Sequence, residues 1–149
     1  MPKKVTLRDV TLDNFEEVTD LELLDDQEEY VADNSYSLAE SKFNPSYQPR
    51  AIYYGKRVVG FLMYESLEDE GKPDEYDIFR LMVDYRYQKK GVGRQAMKLL
   101  LREITRKGNV KRITICYDPK NPLAKTFYAS FGFVEAGLDE DGEMIAEII

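Results

Sequence analysis

The sequence contains no histidine and no tryptophan, and it has a single cysteine among its 149 residues. The lack of histidine removes the side chain that most often serves as a general base or metal ligand near neutral pH. Any proton acceptor must therefore be a carboxylate, a tyrosine, a lysine or a water molecule. One cysteine cannot form an internal disulfide, and nothing near it has metal-ligand spacing. We therefore expect no bound metal and a reducing compartment, the cytoplasm.

Long hydrophobic runs are also missing, and the residues after Met1-Pro2-Lys3-Lys4 alternate in polarity, so we expect neither a signal peptide nor a membrane span. Acidic residues outnumber basic ones by 28 to 21, which gives a formal net charge of -7. A negative surface repels phosphate backbones and anionic lipids. We therefore expect no nucleic acid or membrane partner, and the charge favours a cationic one. The length and the lack of repeats or linkers predict one domain over residues 1–149.

Apolar periodicity predicts alternating strands and helices. The predicted strands are 5–10, 51–54, 57–64, 76–84, 111–117, 133–136 and 144–148, and the predicted helices are 13–24, 35–43, 92–106 and 122–131. The acidic segment Leu67 to Glu75 carries a glycine and a proline, so it is predicted to be a loop. The strand-helix-strand passage from Tyr76 to Tyr117 predicts a parallel pair, and the earlier hairpin predicts antiparallel neighbours. The sequence thus predicts a mixed sheet flanked by helices.

A basic segment with two glycines lies between a predicted strand and a predicted helix, and reads Arg86-Tyr87-Gln88-Lys89-Lys90-Gly91-Val92-Gly93-Arg94. Glycine lets the backbone curl so that successive N–H groups point at one spot, and the helix start adds its positive dipole end. Such a loop suits a pyrophosphate, with Lys89, Lys90 and Arg94 adding positive charge. A flexible turn with solvated basic residues is the simpler alternative.

A dinucleotide-binding pattern also fits Gly91, Gly93 and Ala96, with Asp118 at about the expected distance. The context argues against it, because a polar loop separates these glycines from the strand. Too few residues then remain to complete a doubly wound sheet.

The segment Gln88-Lys89-Lys90-Gly91-Val92-Gly93 resembles the Q/R-x-x-G-x-G/A signature of the GNAT superfamily of N-acetyltransferases. A second segment, Asn121 to Phe133, resembles the superfamily's N-x-x-A-x-x-F-Y-x-x-x-G-F pattern at the expected distance. The resemblance covers essentially the whole chain and implies an α/β fold with a mixed, mostly antiparallel central sheet of six to seven strands. One parallel pair in that sheet is splayed. Within the superfamily, Gln27 to Leu38 and Arg86-Tyr87-Gln88 are similar to bacterial spermine/spermidine acetyltransferases.

The resemblance implies roles for matching positions. Backbone groups of Leu81, Met82 and Val83 would hold the pantetheine arm and acetyl carbonyl of acetyl-coenzyme A. The residues implied to hold its pyrophosphate are Gln88, Lys89, Lys90, Gly91, Val92, Gly93 and Arg94. Asn121 would contact the cosubstrate, and Tyr128 would face the thioester sulfur. A departing thiolate needs a proton or a hydrogen bond, and a phenol can supply either. The alternative for Tyr128 is a core aromatic packed among neighbouring phenylalanines.

The acceptor amine must lose a proton before it attacks a thioester. An alkylammonium of pKa about 10.4 is only about one part in a thousand free amine at pH 7, a deficit of roughly 4.6 kcal/mol. With no histidine available, the candidate bases are Glu28, Glu75 and Asp77, acting directly or through water. Cys116 has no histidine partner, so we expect direct attack through a tetrahedral intermediate stabilised by strand N–H groups, rather than a covalent enzyme intermediate.

Clustered carboxylates could also attract a polycation, and Glu28, Glu29 and Asp77 are the predicted substrate-binding residues; a solubilising face is the alternative. The expected activity is acetyl transfer from acetyl-coenzyme A to a primary amine of a small polycation such as spermidine or spermine. A peptide or aminoglycoside acceptor, or a non-catalytic acyl-coenzyme A-binding domain, remains open as an alternative. Related enzymes are often dimers, which is the ground for expecting a homodimer.

Overall fold

In the computed structural model, which describes residues 3–30 and 32–149, seven strands form one sheet in the order β1-β2-β3-β4-β5-β7-β6. The strands are β1 Val5–Asp9, β2 Tyr47–Tyr54, β3 Arg57–Leu67, β4 Lys72–Val83, β5 Arg112–Tyr117, β6 Val134–Leu138 and β7 Met144–Ile148. Neighbouring strands are antiparallel except β4 and β5, which are parallel. This arrangement confirms the predicted fold class.

Helices cover both faces of the sheet. They are α1 Phe15–Thr19, α2 Asn34–Phe43, α3 Val92–Thr105 and α4 Ala124–Ala129, with 3-10 turns at Asp25–Tyr30, Glu68–Glu70 and Tyr85–Tyr87. One core layer contains α3 and α4 residues with Leu62 and Ile78, and the other contains Val18 of α1 with Phe61 and Met63. No helix within residues 3–30 and 32–149 is long and apolar enough to cross a membrane.

Helix α3 forms because its apolar residues recur on one face. Val92, Ala96, Leu100 and Ile104 are spaced four residues apart and are all buried, and Met97 completes the stripe. Burying this stripe against the sheet fixes the rotation of α3 about its axis. The same contact fixes where the N-terminus of α3 meets the end of β4.

The prediction of a loop from Leu67 to Glu75 is wrong, because β3 and β4 continue as a long hairpin to a tight turn at Glu68–Glu70. Gly71 closes that turn with φ +76°, a conformation that glycine adopts without strain. Lys72 pairs with Leu67 of β3 and Glu75 pairs with Arg112 of β5, so pairing with neighbouring strands, rather than apolar alternation, marks this part of β4. A register shift beside Leu67 accommodates the proline in this segment.

The first helix also differs from the prediction, since α1 begins after Asn14, not Asp13, and ends at Thr19. The backbone N–H of Glu22 donates to Oδ2 of Asp84 at 2.9 Å, and the N–H of Tyr85 donates to the carbonyl of Glu22 at 2.8 Å. These long-range bonds hold the chain after α1 against the end of β4, which apolar periodicity could not indicate. The segment thereby becomes a wall of the candidate site.

Strands β4 and β5 separate part of the way along their length. Their pairing runs from Glu75 opposite Arg112 to Ile78 opposite Ile115 and then stops, although both strands continue. At the same point the β3–β4 register shifts, so that Phe79 is an extra residue in a bulge. The edge of β4 that faces β5 beyond Ile78 therefore has no strand partner, and a gap opens between the two strands.

Candidate active site

A cavity of about 540 Å³, a volume ordinary for a small-molecule site, opens beside the separated end of β4. The predicted cosubstrate residues that line it are Leu81, Met82, Val83, Gln88, Gly93, Asn121 and Tyr128. These come from two stretches that are distant in sequence, 81–93 and 121–128, and the fold brings them together. Leu23, Asp26 and Gln27 form part of the remaining wall. This cavity is called the cleft below.

Buried Asp84 anchors the loop after β4. Its carboxylate accepts hydrogen bonds from the backbone N–H groups of Glu22 and Arg86 and from the Arg86 guanidinium, whose Nε lies 2.8 Å from Oδ1. Burial alone would raise the pKa of Asp84, but these donors hold that pKa below its ordinary value. Sequence reasoning missed this residue, although an aspartate that directly follows an apolar strand is a recognisable turn-capping signal.

Gln88 joins the loop to the opposite wall of the cleft. Its Nε2 donates to the carbonyl of Val83 and to Oε1 of Gln27, both at 2.9 Å, and Nε2 of Gln27 donates back to Oε1 of Gln88 at 3.0 Å. The side-chain amide of Gln88 therefore connects the end of β4 with the 3-10 turn at Asp25–Tyr30. Gln27 was part of the sequence resemblance, but its contact with Gln88 could be found only from the fold.

The backbone between Gln88 and α3 curls as the glycines predict. Lys89 has φ +60° and Gly91 has φ +81°, so two of three consecutive residues are left-handed. Gly91 is the N-cap of α3 and provides no side-chain cap, and the first intrahelical bond runs from the N–H of Gln95 to the carbonyl of Gly91. The N–H groups of Val92, Gly93 and Arg94 precede that bond, so they suit a bound anion.

The basic side chains of the loop are arranged differently from one another. Nη1 of Arg94 donates to Oγ of Ser130 at 3.1 Å, and its guanidinium lies 4.9 Å from the ring centre of Phe131. Arg94 thus packs against α4, while Lys90 stays exposed with its Nζ 6.0 Å from the ring of Tyr87. Lys89 is also exposed. The conformation of the loop therefore depends more on its backbone groups than on the side chains of Lys89, Lys90 and Arg94.

Tyr128 lies where two cavities meet. A second cavity of about 100 Å³ fills the gap between β4 and β5, and Leu81, Asn121 and Tyr128 line both it and the cleft. The ring of Tyr128 stacks on Tyr117 with centres 5.6 Å apart. Burial raises the pKa of Tyr128 to about 12, so its phenol keeps its proton at neutral pH and can donate it. This smaller cavity is named the gap cavity.

The predicted bases lie outside both cavities. Oγ1 of Thr114 donates to Oδ1 of half-buried Asp77 at 2.7 Å, and burial raises the pKa of Asp77. Glu75 forms an ion pair with Arg112 at 3.3 Å. The structure therefore brings neither carboxylate to the meeting point at Tyr128, and their assignment as bases stays a prediction.

Glu28 lies in a third cavity of about 370 Å³. Glu22 and Asp33 also line this cavity, and Met82 is shared between it and the cleft. The side chain of Glu29 lies outside the described part of the structure. The third cavity therefore presents carboxylates next to the cleft, and it is named the acidic recess.

Asp118 is a carboxylate that the sequence-based site prediction did not include. It follows the last residue of β5 and lines the gap cavity. A usable signal existed, because sites in parallel sheets gather at the carboxyl ends of the strands. Cys116 lines the same cavity, but burial raises the pKa of its thiol to about 12, so it is protonated at neutral pH and a poor nucleophile.

Comparisons with known proteins agree with this architecture. The family model for the acetyltransferase (GNAT) family matches residues 11–133. The chain is 30% identical over 145 residues to the spermine/spermidine N(1)-acetyltransferase of Bacillus subtilis (strain 168), covering 95% of each. The PaiA N-acetyltransferase from Thermoplasma acidophilum, solved with coenzyme A, superimposes with a TM-score of 0.73 at 15% identity, over 97% of this chain and 98% of that one. Aminoglycoside acetyltransferase AAC(6')-Ib, also solved with coenzyme A, has a TM-score of 0.76 at 19% identity, over 97% and 94%.

The fold and the two sequence motifs thus define the class of protein. The chain belongs to the acetyltransferase (GNAT) family. It is an acetyl-coenzyme A-dependent N-acetyltransferase.

Proposed function

We propose that this enzyme acetylates a primary amine of a small polyamine, with spermidine or spermine as the acceptor. The observation that carries the proposal is the meeting of the cleft and the gap cavity at Leu81, Asn121 and Tyr128. An acceptor that enters through the gap cavity can meet the acetyl group there, beside Tyr128. The similarity to a spermine/spermidine N(1)-acetyltransferase supports a polyamine as the second reactant.

Acetyl-coenzyme A lies in the cleft in this proposal. The N–H groups at the start of α3 and the left-handed loop residues receive the pyrophosphate, as the motif resemblance implies. The pantetheine arm follows the edge of β4 that lacks a strand partner, at Leu81, Met82 and Val83. Free backbone groups on that edge then hold the acetyl carbonyl. An N–H group there stabilises the oxyanion of a tetrahedral intermediate formed by direct attack.

Charge and shape favour a linear cationic acceptor. The gap cavity holds about 100 Å³, enough for the end of an alkyl chain, and apolar residues such as Ile78 and Ile115 line part of it. Beside the cleft, the acidic recess presents Glu22, Glu28 and Asp33 to a second ammonium group. A polyamine carries charges spaced along a narrow chain, so it suits a narrow cavity on a surface rich in carboxylates.

Tyr128 assists departure of the thiolate. Its phenol is protonated at neutral pH and lies at the meeting point of the cavities, so it can donate a proton or a hydrogen bond to sulfur. The stack on Tyr117 fixes the plane of its ring. Asn121, which lines both cavities, is assigned to cosubstrate contact on the motif resemblance.

Thiol release from acetyl-coenzyme A tests the proposal. Spermidine and spermine should give release and a product heavier by one acetyl group, whereas a lysine-containing peptide and kanamycin should give at least tenfold lower kcat/KM. Tyr128→Phe serves as the matched control for chemistry, because it keeps the ring and removes only the hydroxyl. A preference for the peptide or for kanamycin would overturn the polyamine assignment and leave the family membership intact.

A further inference from the structure

We infer that Asp118 is the catalytic carboxylate that takes the proton from the acceptor's ammonium group. The inference rests on the proposed acceptor route, in which the amine reaches the acetyl carbonyl through the gap cavity. It replaces none of the cosubstrate contacts. It assigns a base to a site in which histidine is absent.

The titratable groups of the gap cavity allow a choice by elimination. Those side chains are Arg80, Cys116, Tyr117, Asp118 and Tyr128. Burial raises the pKa of the thiol and of both phenols to about 12, so all three are protonated at neutral pH. Arg80 is a cation and cannot accept a proton. Of the side chains lining this cavity, Asp118 is the one that can act as a base.

Contacts of Asp118 leave its carboxylate available to a ligand. Oδ1 accepts a hydrogen bond from the backbone N–H of Lys120 at 2.8 Å, and the carbonyl of Asp118 accepts one from the N–H of Asn121 at 2.9 Å. These bonds fix the turn after β5. Within the described residues, Oδ2 makes no hydrogen bond and no ion pair reaches the carboxylate. One oxygen is thus held in place, while the other has no hydrogen-bond or ion-pair partner among the described residues.

Neighbouring charges favour an ammonium ion at this place. Nη2 of Arg80, the cation of the cavity lining, lies 3.0 Å from Oε1 of Glu40, and its Nε donates to Oγ of Ser37 at 3.1 Å. Its charge is therefore balanced by a carboxylate of α2. Glu143 lies close enough to Asp118 for the two carboxylates to repel each other, and burial with these neighbours raises the pKa of Glu143. Asp118 and the neighbouring Glu143 place two carboxylates beside the gap cavity, which suits a positive acceptor.

The proton balance of the step is complete. The ammonium nitrogen first loses one proton to Asp118, and the lone pair that this frees forms the C–N bond to the acetyl carbon. The C–S bond then breaks, and sulfur keeps its electron pair and takes the phenol proton of Tyr128. The nitrogen loses its second proton to solvent, and solvent restores Tyr128 while Asp118 releases its proton. One turnover therefore converts an ammonium and a thioester into an amide, a thiol and one free proton.

Asp118→Asn tests the inference, because asparagine keeps an oxygen for the N–H of Lys120 but cannot take a proton at neutral pH. We expect kcat with spermidine to fall by about 100-fold or more, the range of general base catalysis. The Kd for coenzyme A should stay within about twofold. Asp141→Asn is the matched control, since it removes one negative charge from the exposed β6–β7 turn without touching the gap cavity. That control should keep kcat within about twofold.

A pH profile separates a base from a residue that only positions the acceptor. If Asp118 removes the proton, the defect of Asp118→Asn should shrink as pH rises, by up to about tenfold per pH unit, because the free amine becomes available without help. The defect should also be smaller for 2,2-difluoroputrescine than for putrescine, since fluorine lowers the pKa of the adjacent amine. An equal defect at every pH and with both diamines would overturn the inference.

Folding and substrate choice are controlled separately. Should Asp118→Asn fail to fold, Asp118→Ser keeps a side-chain oxygen for the turn and allows the same profile to be measured. If the wild-type enzyme acetylates a peptide or kanamycin but no polyamine, the polyamine assignment fails and the Asp118 profile is decided on that acceptor. A wild type inactive toward all of these amines overturns both.

Discussion

Two glycines of the cosubstrate loop, Gly91 and Gly93, offer the sharpest test of how this site is built. Gly91 has φ +81°, and an added Cβ would meet nothing within 4 Å, so its requirement for glycine is conformational. Gly93 has no positive φ, and an added Cβ would lie 3.7 Å from Cγ2 of Val83 and 3.9 Å from Cζ of Phe127, both ordinary contacts. Gly91→Ala is therefore strained without a clash, whereas Gly93→Ala is neither strained nor crowded.

The size of the effect follows from the backbone. A non-glycine residue in the left-handed region costs about 1–2 kcal/mol. If the free loop relaxes to avoid that cost, coenzyme A must restore the strained conformation on binding, and Kd rises by about 5- to 30-fold. If the free loop keeps its conformation, the same free energy is lost from folding stability instead. Gly93→Ala should hold Kd within about threefold and stabilise α3 by about 0.5–1 kcal/mol, since alanine favours a helix.

Calorimetric titration with coenzyme A at low salt, together with urea unfolding of the same samples, measures both quantities. The sum of the losses in binding and folding free energy should reach about 1–2 kcal/mol for Gly91→Ala. Gly91→Val should lose more, because β-branched residues tolerate positive φ poorly. The reasoning is refuted if Gly93→Ala loses more coenzyme A affinity than Gly91→Ala, or if Gly91→Ala loses neither affinity nor stability.

Three further predictions concern single side chains. Tyr128→Phe should lower kcat by about 100-fold while the Kd for coenzyme A changes little, because it removes a proton donor and keeps the ring; stopped-flow thiol detection and calorimetry measure the two. Glu40→Gln should free the charge of Arg80 beside the gap cavity and raise KM for spermidine about fivefold, and the added change Arg80→Met should restore it. Burial, reinforced by repulsion from Asp77, raises the pKa of Glu65 from 4.5 to about 7. Ionising Glu65 therefore costs more free energy in the folded state than in the unfolded state, and the free energy of unfolding falls as pH rises from 4.5 to about 7. Glu65→Gln should therefore raise Tm more at pH 8 than at pH 5 in thermal scans, and an equal rise at both would contradict this sign.

Local patterns in the sequence predicted the parts of the fold that local forces decide. The helical spacing of the apolar residues Ala96, Leu99, Leu100 and Ile104 predicted α3; Ala96, Leu100 and Ile104 are buried as expected, and Leu99 is half-buried. The segment Leu67 to Glu75 was predicted to be a loop because its residues are polar, although beyond the turn it belongs to β4, where Lys72 pairs with β3 and Glu75 with β5. Ladder hydrogen bonds are long-range and leave little trace in the composition of an exposed hairpin.

In the candidate site, too, local sequence predicted some features, and others depend on long-range pairing. Gln88 and Gly91 could be found because a strand, a loop and a helix follow each other directly in sequence. The meeting of the two cavities at Tyr128 depends on where β4 and β5 stop pairing, which is decided by the bulge at Phe79 opposite β3. Asp77 was one of the candidate bases, and it lies on β4, the strand that leads to the point where β4 and β5 separate. The register between β4 and β5 decides two further features of Asp77. It forms a hydrogen bond with Thr114, and it lies in the paired part of β4, before the two strands separate.

In the proposed mechanism, one short segment after β5 provides both the group that accepts a proton and the group that donates one. Asp118 begins that segment in the turn after β5, where its Oδ1 accepts a hydrogen bond from the N–H of Lys120, and Tyr128 ends it inside an aromatic cluster that disfavours a phenolate. A carboxylate and a phenol can act as base and acid at one pH, because carboxyl groups ordinarily titrate well below pH 7 and phenols well above it. A single histidine would have to alternate between those states within each turnover. Because the two groups stand at opposite ends of the segment and line the same cavity, the proposed mechanism has a proton acceptor and a proton donor at one site without any imidazole.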